Sequence, residues 1–100
     1  MYAVISHLHL NRPVDDLRAE MEKDGLALLA SFTGYQGYYL VKVADNRAMV
    51  VVLWDTIEHA NEGSRQFGLD WFSKKVSPYL ASDYQRSIGE VVLYGEPSTA

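Results

Sequence analysis

Two histidines near the start of the chain have the type and spacing best suited to chemistry. His7 and His9 lie two residues apart in an apolar stretch from 2 to 10 that is typical of a β-strand, so both imidazoles project from one face. Imidazole exchanges protons near neutral pH, which makes the pair a candidate for general-base catalysis. The alternative is that both are polar residues at a sheet rim or at an interface between two copies. Two ligands with no third nearby in sequence are a weak metal signal, and we expect no metal site.

A second group of candidates consists of aromatic side chains suited to a pocket for a planar molecule. Such pockets are mostly apolar, with a few polar groups that fix orientation. We predict that Tyr39, together with Phe67, Trp71 and Phe72 of a helical region, binds substrate. The helical spacing of the last three favours the alternative role of core packing. Trp54 ends a predicted strand and is interpreted as structural.

These candidates are positioned by a fold centred on a β-hairpin. Its two apolar runs, 38–43 and 48–54, flank the sequence ADNR, and Asp and Asn suit a tight turn. A strand and a helical region precede the hairpin, and a helical region and a strand follow it. Right-handed crossovers then place both helical regions on one sheet face. We predict an α+β, ferredoxin-like βαββαβ domain with a four-stranded antiparallel sheet at residues 1–95, and a flexible tail at 96–100.

Irregularities are predicted in the first helix and the last strand. Gly25 interrupts the apolar stripe of the helix, which indicates a kink or a close approach to the sheet. Gly89 lies inside a strand predicted at 84–94 and indicates a bulge or a point of close backbone approach. Arg86 and Glu90 share one face of that strand, which predicts an ion pair or a contact across a dimer interface.

The sheet face without helices carries Ile5, tyrosines and valines. An open face with this much apolar surface indicates an interaction site. The simplest partner is a second copy of the chain in a two-fold dimer, so we predict a homodimer through the open sheet face.

Composition and motifs exclude several classes of function. Asp and Glu number 13 against 9 Lys and Arg, a net charge of -4, which argues against a nucleic-acid surface. There is no cysteine, so disulfides and thiolate chemistry do not arise. No apolar run approaches the roughly 18 residues of a membrane span, and the start lacks the basic region of a signal peptide. We therefore expect a cytoplasmic protein. No glycine-rich phosphate loop or G-x-S-x-G motif is present.

The hairpin and its surroundings resemble a known family. The run FTGYQGYYLVKVADNRAMVVVLWDTIEHANEG, the following WF pair, the VSPYL helix end and the SIGEVV of the last strand resemble the antibiotic biosynthesis monooxygenase (ABM) family of dimeric α/β barrel proteins. The resemblance covers nearly the whole chain. It implies an active site in a cavity between the open sheet face and the helical layer of each protomer.

The resemblance also implies a function. The leading hypothesis is a cofactor-independent monooxygenase that acts on a small aromatic, quinol or polyketide-like substrate, with His7 or His9 as proton acceptor. Haem-degrading members share a triad of Asn on strand one with Trp and His on the second helical region. In this chain His7 occupies the position of the Asn, and residues 73–75, where the His is expected, contain no histidine. That branch is not matched, and we expect no cofactor. The alternatives are a non-catalytic small-molecule-binding or sensing protein on the same scaffold, and a polyketide isomerase or cyclase.

Overall fold

A four-stranded antiparallel sheet forms one layer of the computed structural model, which describes residues 1–97. The strands are β1 (Tyr2–His9), β2 (Tyr35–Ala44), β3 (Arg47–Trp54) and β4 (Gln85–Glu90). Their order across the sheet is β2-β3-β1-β4. This confirms the predicted ferredoxin-like βαββαβ arrangement.

The second layer consists of two helical arms, each containing one π-helical segment. The first arm comprises α1 (Val14–Glu20), the first π segment (Met21–Gly25) and α2 (Leu26–Ala30). The second arm comprises α3 (Ile57–Phe67), the second π segment (Gly68–Phe72), α4 (Ser73–Lys75) and a 3-10 turn (Ser77–Tyr79). Thr56 caps α3, because its hydroxyl accepts a hydrogen bond from the His59 backbone N–H at 3.1 Å. No helix within residues 1–97 is long and apolar enough to cross a lipid bilayer.

The two faces of β1 differ as its alternating pattern predicts. Val4 and Leu8 point toward the helical arms and are 5% and 4% exposed. Ile5 and His7 point to the opposite face, which no helix covers. In the neighbouring β3, Trp54 faces the arms and is fully buried.

The last strand is shorter than the predicted 84–94. Its pairing with β1 ends where Glu90 lies opposite Tyr2, the first residue of β1, and the Val91 N–H donates to the Met1 carbonyl at 2.8 Å. The predicted tail at 96–100 extends beyond the described residues.

Gly89 forms neither the predicted bulge nor the predicted close approach, since a Cβ there would meet nothing within 4 Å. Gly89 pairs with Ala3 in an uninterrupted register, and the irregularities lie instead in β2, between Tyr35 and Gly37 and between Lys42 and Ala44. These bulges accommodate the extra residues of the longer strand.

The intrastrand ion pair predicted for Arg86 and Glu90 is also absent among the ion pairs of residues 1–97. Arg86 is exposed to solvent and also lines a cavity between the sheet and the helical arms.

Candidate functional site

A cavity of about 80 Å³ lies between the sheet and the helical arms. This cavity borders the covered face of the sheet, whereas the resemblance placed the active site beside the open face. The reason is the alternation of β1 and β3, which turns their large apolar side chains toward the helices. The apolar side chains lining it are Val4, Leu8, Val50 and Val52 from the sheet, and Leu17, Met21, Leu29 and Val76 from the helical arms.

Aromatic side chains complete the cavity wall. Phe67 stacks on Trp71, with ring centroids 5.1 Å apart and planes at 20°. Phe72 lies against Tyr84 with centroids 5.0 Å apart, and Tyr84 is 37% exposed. This second pair therefore lies where the cavity approaches solvent. Tyr38 and Trp54 supply the aromatic surface on the sheet side.

Ser64 of α3 is one polar residue of the lining, and two others lie on the neighbouring strands β1 and β4. Ser6 and Arg86 are directly opposite each other in the register of these strands and line the same cavity. Arg86 forms no ion pair with any residue of the described range 1–97. An unpaired guanidinium beside aromatic walls favours a ligand that carries negative charge or an acceptor oxygen.

Tyr38 adds a hydroxyl that acts as a donor. Burial, and to a smaller extent the nearby Tyr35, raises the pKa of Tyr38 above its ordinary value. The phenol therefore stays protonated at neutral pH, so Tyr38 can donate a hydrogen bond but does not serve as a base.

The predicted aromatic residues divide between the cavity and the open face. Phe67, Trp71 and Phe72 line the cavity as expected. Tyr39 does not, because it lies on the open face opposite Val51 in the β2–β3 pairing and is 56% exposed. Its substrate-binding role stays a prediction that the cavity does not support.

The two histidines also lie on the open face. His7 is exposed and pairs with Met49 of β3, and His9 pairs with Arg47. Neither lines the cavity. The structure therefore separates the candidate proton acceptors from the aromatic pocket by the thickness of the sheet, and their catalytic role stays a prediction.

Sequence reasoning did not assign several polar or aromatic cavity residues to the site, namely Ser6, Tyr38, Ser64, Tyr84 and Arg86. The signal for Ser6 was its position between Val4 and Leu8 on the leucine-bearing face of β1. The signal for Arg86 became visible only with the β1–β4 register, which places the two side by side.

A further polar pair lies outside the cavity, at the start of α3. The His59 Nδ1 donates to Asp55 Oδ1 at 2.7 Å, and this hydrogen bond lowers the pKa of Asp55. Gly34, with φ of 86°, lies directly against both side chains, where a Cβ would overlap them. Within residues 1–97 no group of three histidine or acidic side chains is arranged to hold a metal ion.

Comparison with known proteins identifies the fold. No protein-family model matches the sequence, and no curated protein matches it. Solved structures do match. SnoaB, a cofactor-independent oxygenase from Streptomyces nogalater, superposes with a TM-score of 0.75 at 10% identity, over 93% of this chain and 94% of the other. The chain has the fold of the antibiotic biosynthesis monooxygenases.

Two further structures extend the comparison. An antibiotic biosynthesis monooxygenase matches with a TM-score of 0.72 at 10% identity, over 93% of this chain and all (100%) of the other. A mutant of MhuD, solved with two manganese protoporphyrin IX molecules per active site, matches with a TM-score of 0.72 at 14% identity, over 97% and 100% of the two chains. These structures share the fold at low identity, although one is a cofactor-independent oxygenase and another was solved with a porphyrin bound.

Proposed function

We propose that this protein is an ABM-type, cofactor-independent monooxygenase that oxidises a small phenolic or quinol ring in the cavity between the sheet and the helical arms. The observation that carries the proposal is Arg86, the one charged residue in the described cavity lining, which is otherwise formed by aromatic, apolar and serine side chains and a glycine. A quinol ring matches both features: its carbon faces suit the aromatic wall, and its ionised oxygen suits the guanidinium.

Arg86 favours the reactive form of such a substrate. A hydroquinone reduces oxygen after losing a proton, and a nearby cation lowers the pKa of the bound hydroxyl. The anion then gives one electron to O2, and the resulting superoxide joins the ring radical to form a C–O bond. The hydroperoxide loses water and leaves a carbonyl, so hydroquinone and O2 become hydroxyquinone and water. The substrate supplies all the electrons.

The cavity limits the size of the substrate. Its 80 Å³ is smaller than the roughly 150 Å³ of an engineered apolar cavity that binds benzene. A single ring can enter only if the Phe72–Tyr84 pair at the solvent side moves apart. This favours a one-ring quinol over a larger polyketide-like molecule.

The proton acceptor has two possible sources. No carboxylate or imidazole lines the described cavity, so a proton released by a substrate beside Arg86 can pass to water near the exposed rim. The alternative is transfer to His7 or His9, which requires the substrate to reach the open face. Replacing each histidine by Ala decides between them: oxygen uptake unchanged in both variants excludes the histidines.

We also propose that the protein functions as a homodimer joined through the open sheet face. Ile5, Met49, Val51 and Leu53 form the centre of this face, and they are only partly shielded within one chain. Packing two such faces together would remove the apolar surface from water. His7 and His9 would then lie in or beside the interface.

Oxygen uptake with methylhydroquinone tests the proposed activity, after subtraction of the uncatalysed rate. We expect Arg86→Gln to lower the rate by about tenfold or more, because it removes the cation that stabilises the anion. Arg86→Lys should retain part of the activity. Arg65→Gln is the matched control, since Arg65 pairs with Glu62 at 2.7 Å on the exposed side of α3. Equal rates in the Arg86→Gln and Arg65→Gln variants would contradict the proposed role.

One observation favours a second candidate, a small-molecule-binding protein without turnover. The described cavity wall contains aromatic rings and a cation but neither a carboxylate nor an imidazole, which suffices to hold a phenolate. This candidate predicts that p-cresol or methylhydroquinone raises the melting temperature while no oxygen is consumed above the uncatalysed rate.

A further inference from the structure

We infer that Asp24 is a positioning residue that fixes the Trp71 indole as the helical wall of the cavity and uses up its only hydrogen-bond donor. The inference rests on the proposed function, since it concerns how a ring binds in the same cavity. It assigns the orientation of the ligand: the ring carbons lie toward Trp71, and the oxygen lies toward the strands β1 and β4.

The Asp24 contact joins the two helical arms. The Trp71 Nε1 donates to Asp24 Oδ1 at 2.6 Å, across 47 residues of sequence. Trp71 is 5% exposed and Asp24 is partly buried, so water competes poorly for this hydrogen bond. A bond from an indole N–H to a carboxylate is charge-assisted and stronger than a neutral one.

The two π segments bring these residues together. Asp24 belongs to the first π segment and Trp71 to the second, and π-helical turns often occur at functional sites. Gly25 permits the close approach, because a Cβ there would lie 2.9 Å from Trp71 Cζ2 and 2.6 Å from Met21 Sδ. The close approach predicted for Gly25 is thus to the other helical arm and not to the sheet.

The surroundings leave the indole little freedom. Phe67 stacks on one face of the ring, Gly25 lies against its edge, and Asp24 holds its nitrogen. Tryptophan has a single polar hydrogen, and Asp24 already accepts it. Trp71 therefore offers a ligand only carbon surface.

This assignment determines which groups can orient a ligand oxygen. With the Trp71 donor satisfied, other polar groups of the described lining remain, namely Ser6, Ser64, the Tyr38 and Tyr84 hydroxyls, the unpartnered Trp54 Nε1 and Arg86. Arg86 is the charged one among them, and it lies beside Ser6 in the β1–β4 register. A bound phenol should consequently point its oxygen at the β1–β4 pair. Loss of the Asp24 contact would release the ring and expose an unsatisfied N–H to the ligand.

The first test is independent of activity and follows the Trp71 indole N–H resonance by NMR, assigned with Trp54→Phe and Trp71→Phe variants. Asp24→Leu removes the acceptor at similar size and should shift this resonance and speed its exchange with solvent. Asp24→Asn keeps an acceptor oxygen and should preserve slow exchange. Glu22→Leu is the matched control, because it removes an exposed carboxylate from the same π segment. An unchanged Trp71 resonance in Asp24→Leu would overturn the inference.

The second test measures p-cresol binding by calorimetry and methylhydroquinone oxidation. Asp24→Leu should weaken binding and raise KM by about tenfold, the value of one hydrogen bond to a charged group, with kcat changed less than about threefold. Asp24→Asn and Glu22→Leu should stay near the unmodified protein. A shifted resonance without a change in Kd or KM would overturn the positioning role. If the unmodified protein neither binds p-cresol nor oxidises methylhydroquinone, the proposed function and the proposed ligand orientation both fail. The Trp71 resonance would still show whether Asp24 fixes the indole ring.

Discussion

The hydrogen bond between His59 and Asp55 links the stability of the protein to pH. It lowers the pKa of Asp55 below the ordinary value of 3.8. Because the folded state favours the ionised carboxylate, this contribution to stability is present above pH 3.8 and is lost as the pH falls through the lower folded-state pKa. Asp55→Asn should therefore lower the melting temperature by a few degrees at most at pH 7, since the His59 and Asp55 side chains are 38% and 41% exposed and solvent screens their interaction.

The measurement is a series of melting temperatures between pH 7 and pH 2 for both proteins. The difference between them should shrink steadily below the ordinary carboxyl pKa. Glu58→Gln, which removes a carboxylate in the first turn of α3, is the control. A constant difference across the series would show that Asp55 stabilises the start of α3 by some means other than its charge.

At the scale of individual residues, the sequence revealed part of the candidate site. The aromatic type of Phe67, Trp71 and Phe72 predicted a pocket lining, and the three do line the cavity, although their helical spacing favoured core packing. Ser6 and Arg86 were missed as a pair, because strand register depends on how β1 and β4 meet and no local pattern encodes it. The same alternation that placed the leucines inward placed His7 on the open face.

At the scale of secondary-structure elements, two glycines of the second helical arm have opposite roles. A Cβ on Gly63 would overlap the Trp54 ring, whereas a Cβ on Gly68 would meet nothing within 4 Å. We expect Gly63→Ala to lower the free energy of unfolding by about 1–3 kcal/mol, through overpacking against a fully buried ring. Gly68→Ala should raise it by about 0.5–1 kcal/mol, because alanine favours helical backbone.

Urea unfolding of the two variants and the unmodified protein checks this pair. The substitutions are chemically identical and lie in the same helical arm, so each is the control for the other. Equal effects of the same sign would mean that helix propensity, and not contact with Trp54, decides the result.

The elements themselves were predictable to different degrees. The hairpin and the order of strands and helices followed from turn residues and apolar patterns, and the structure confirms them. The π segments did not follow, because one extra residue in a turn hardly alters an apolar stripe. They depend on contacts between the arms, such as that of Gly25 with Trp71.

At the scale of the whole molecule, apolar surface remains on the side of the sheet away from the helices. Tyr39, Val41 and Val43 of β2 are 56%, 40% and 65% exposed. The segment after β4 continues this surface, with Val92 and Leu93 86% and 87% exposed. Patches of this kind are uncommon on monomers, which supports the proposed association of two open faces.

A charge at the centre of the open face should separate the proposed dimer. Val51 pairs with Ile5 on one side and Tyr39 on the other, so Val51→Glu would place a carboxylate between two packed sheets without a partner, which is costly. We expect the unmodified protein to sediment as a dimer at low micromolar concentration and Val51→Glu as a folded monomer. Leu69→Glu makes the same change at a residue of the helical layer that is 63% exposed, and it should remain dimeric.

If the unmodified protein sediments as a monomer, the open face does not bind a second copy, and its apolar residues must serve another partner. If it is a dimer that Val51→Glu leaves intact and Leu69→Glu dissociates, the interface lies on the helical side. Circular dichroism of each variant separates dissociation from unfolding.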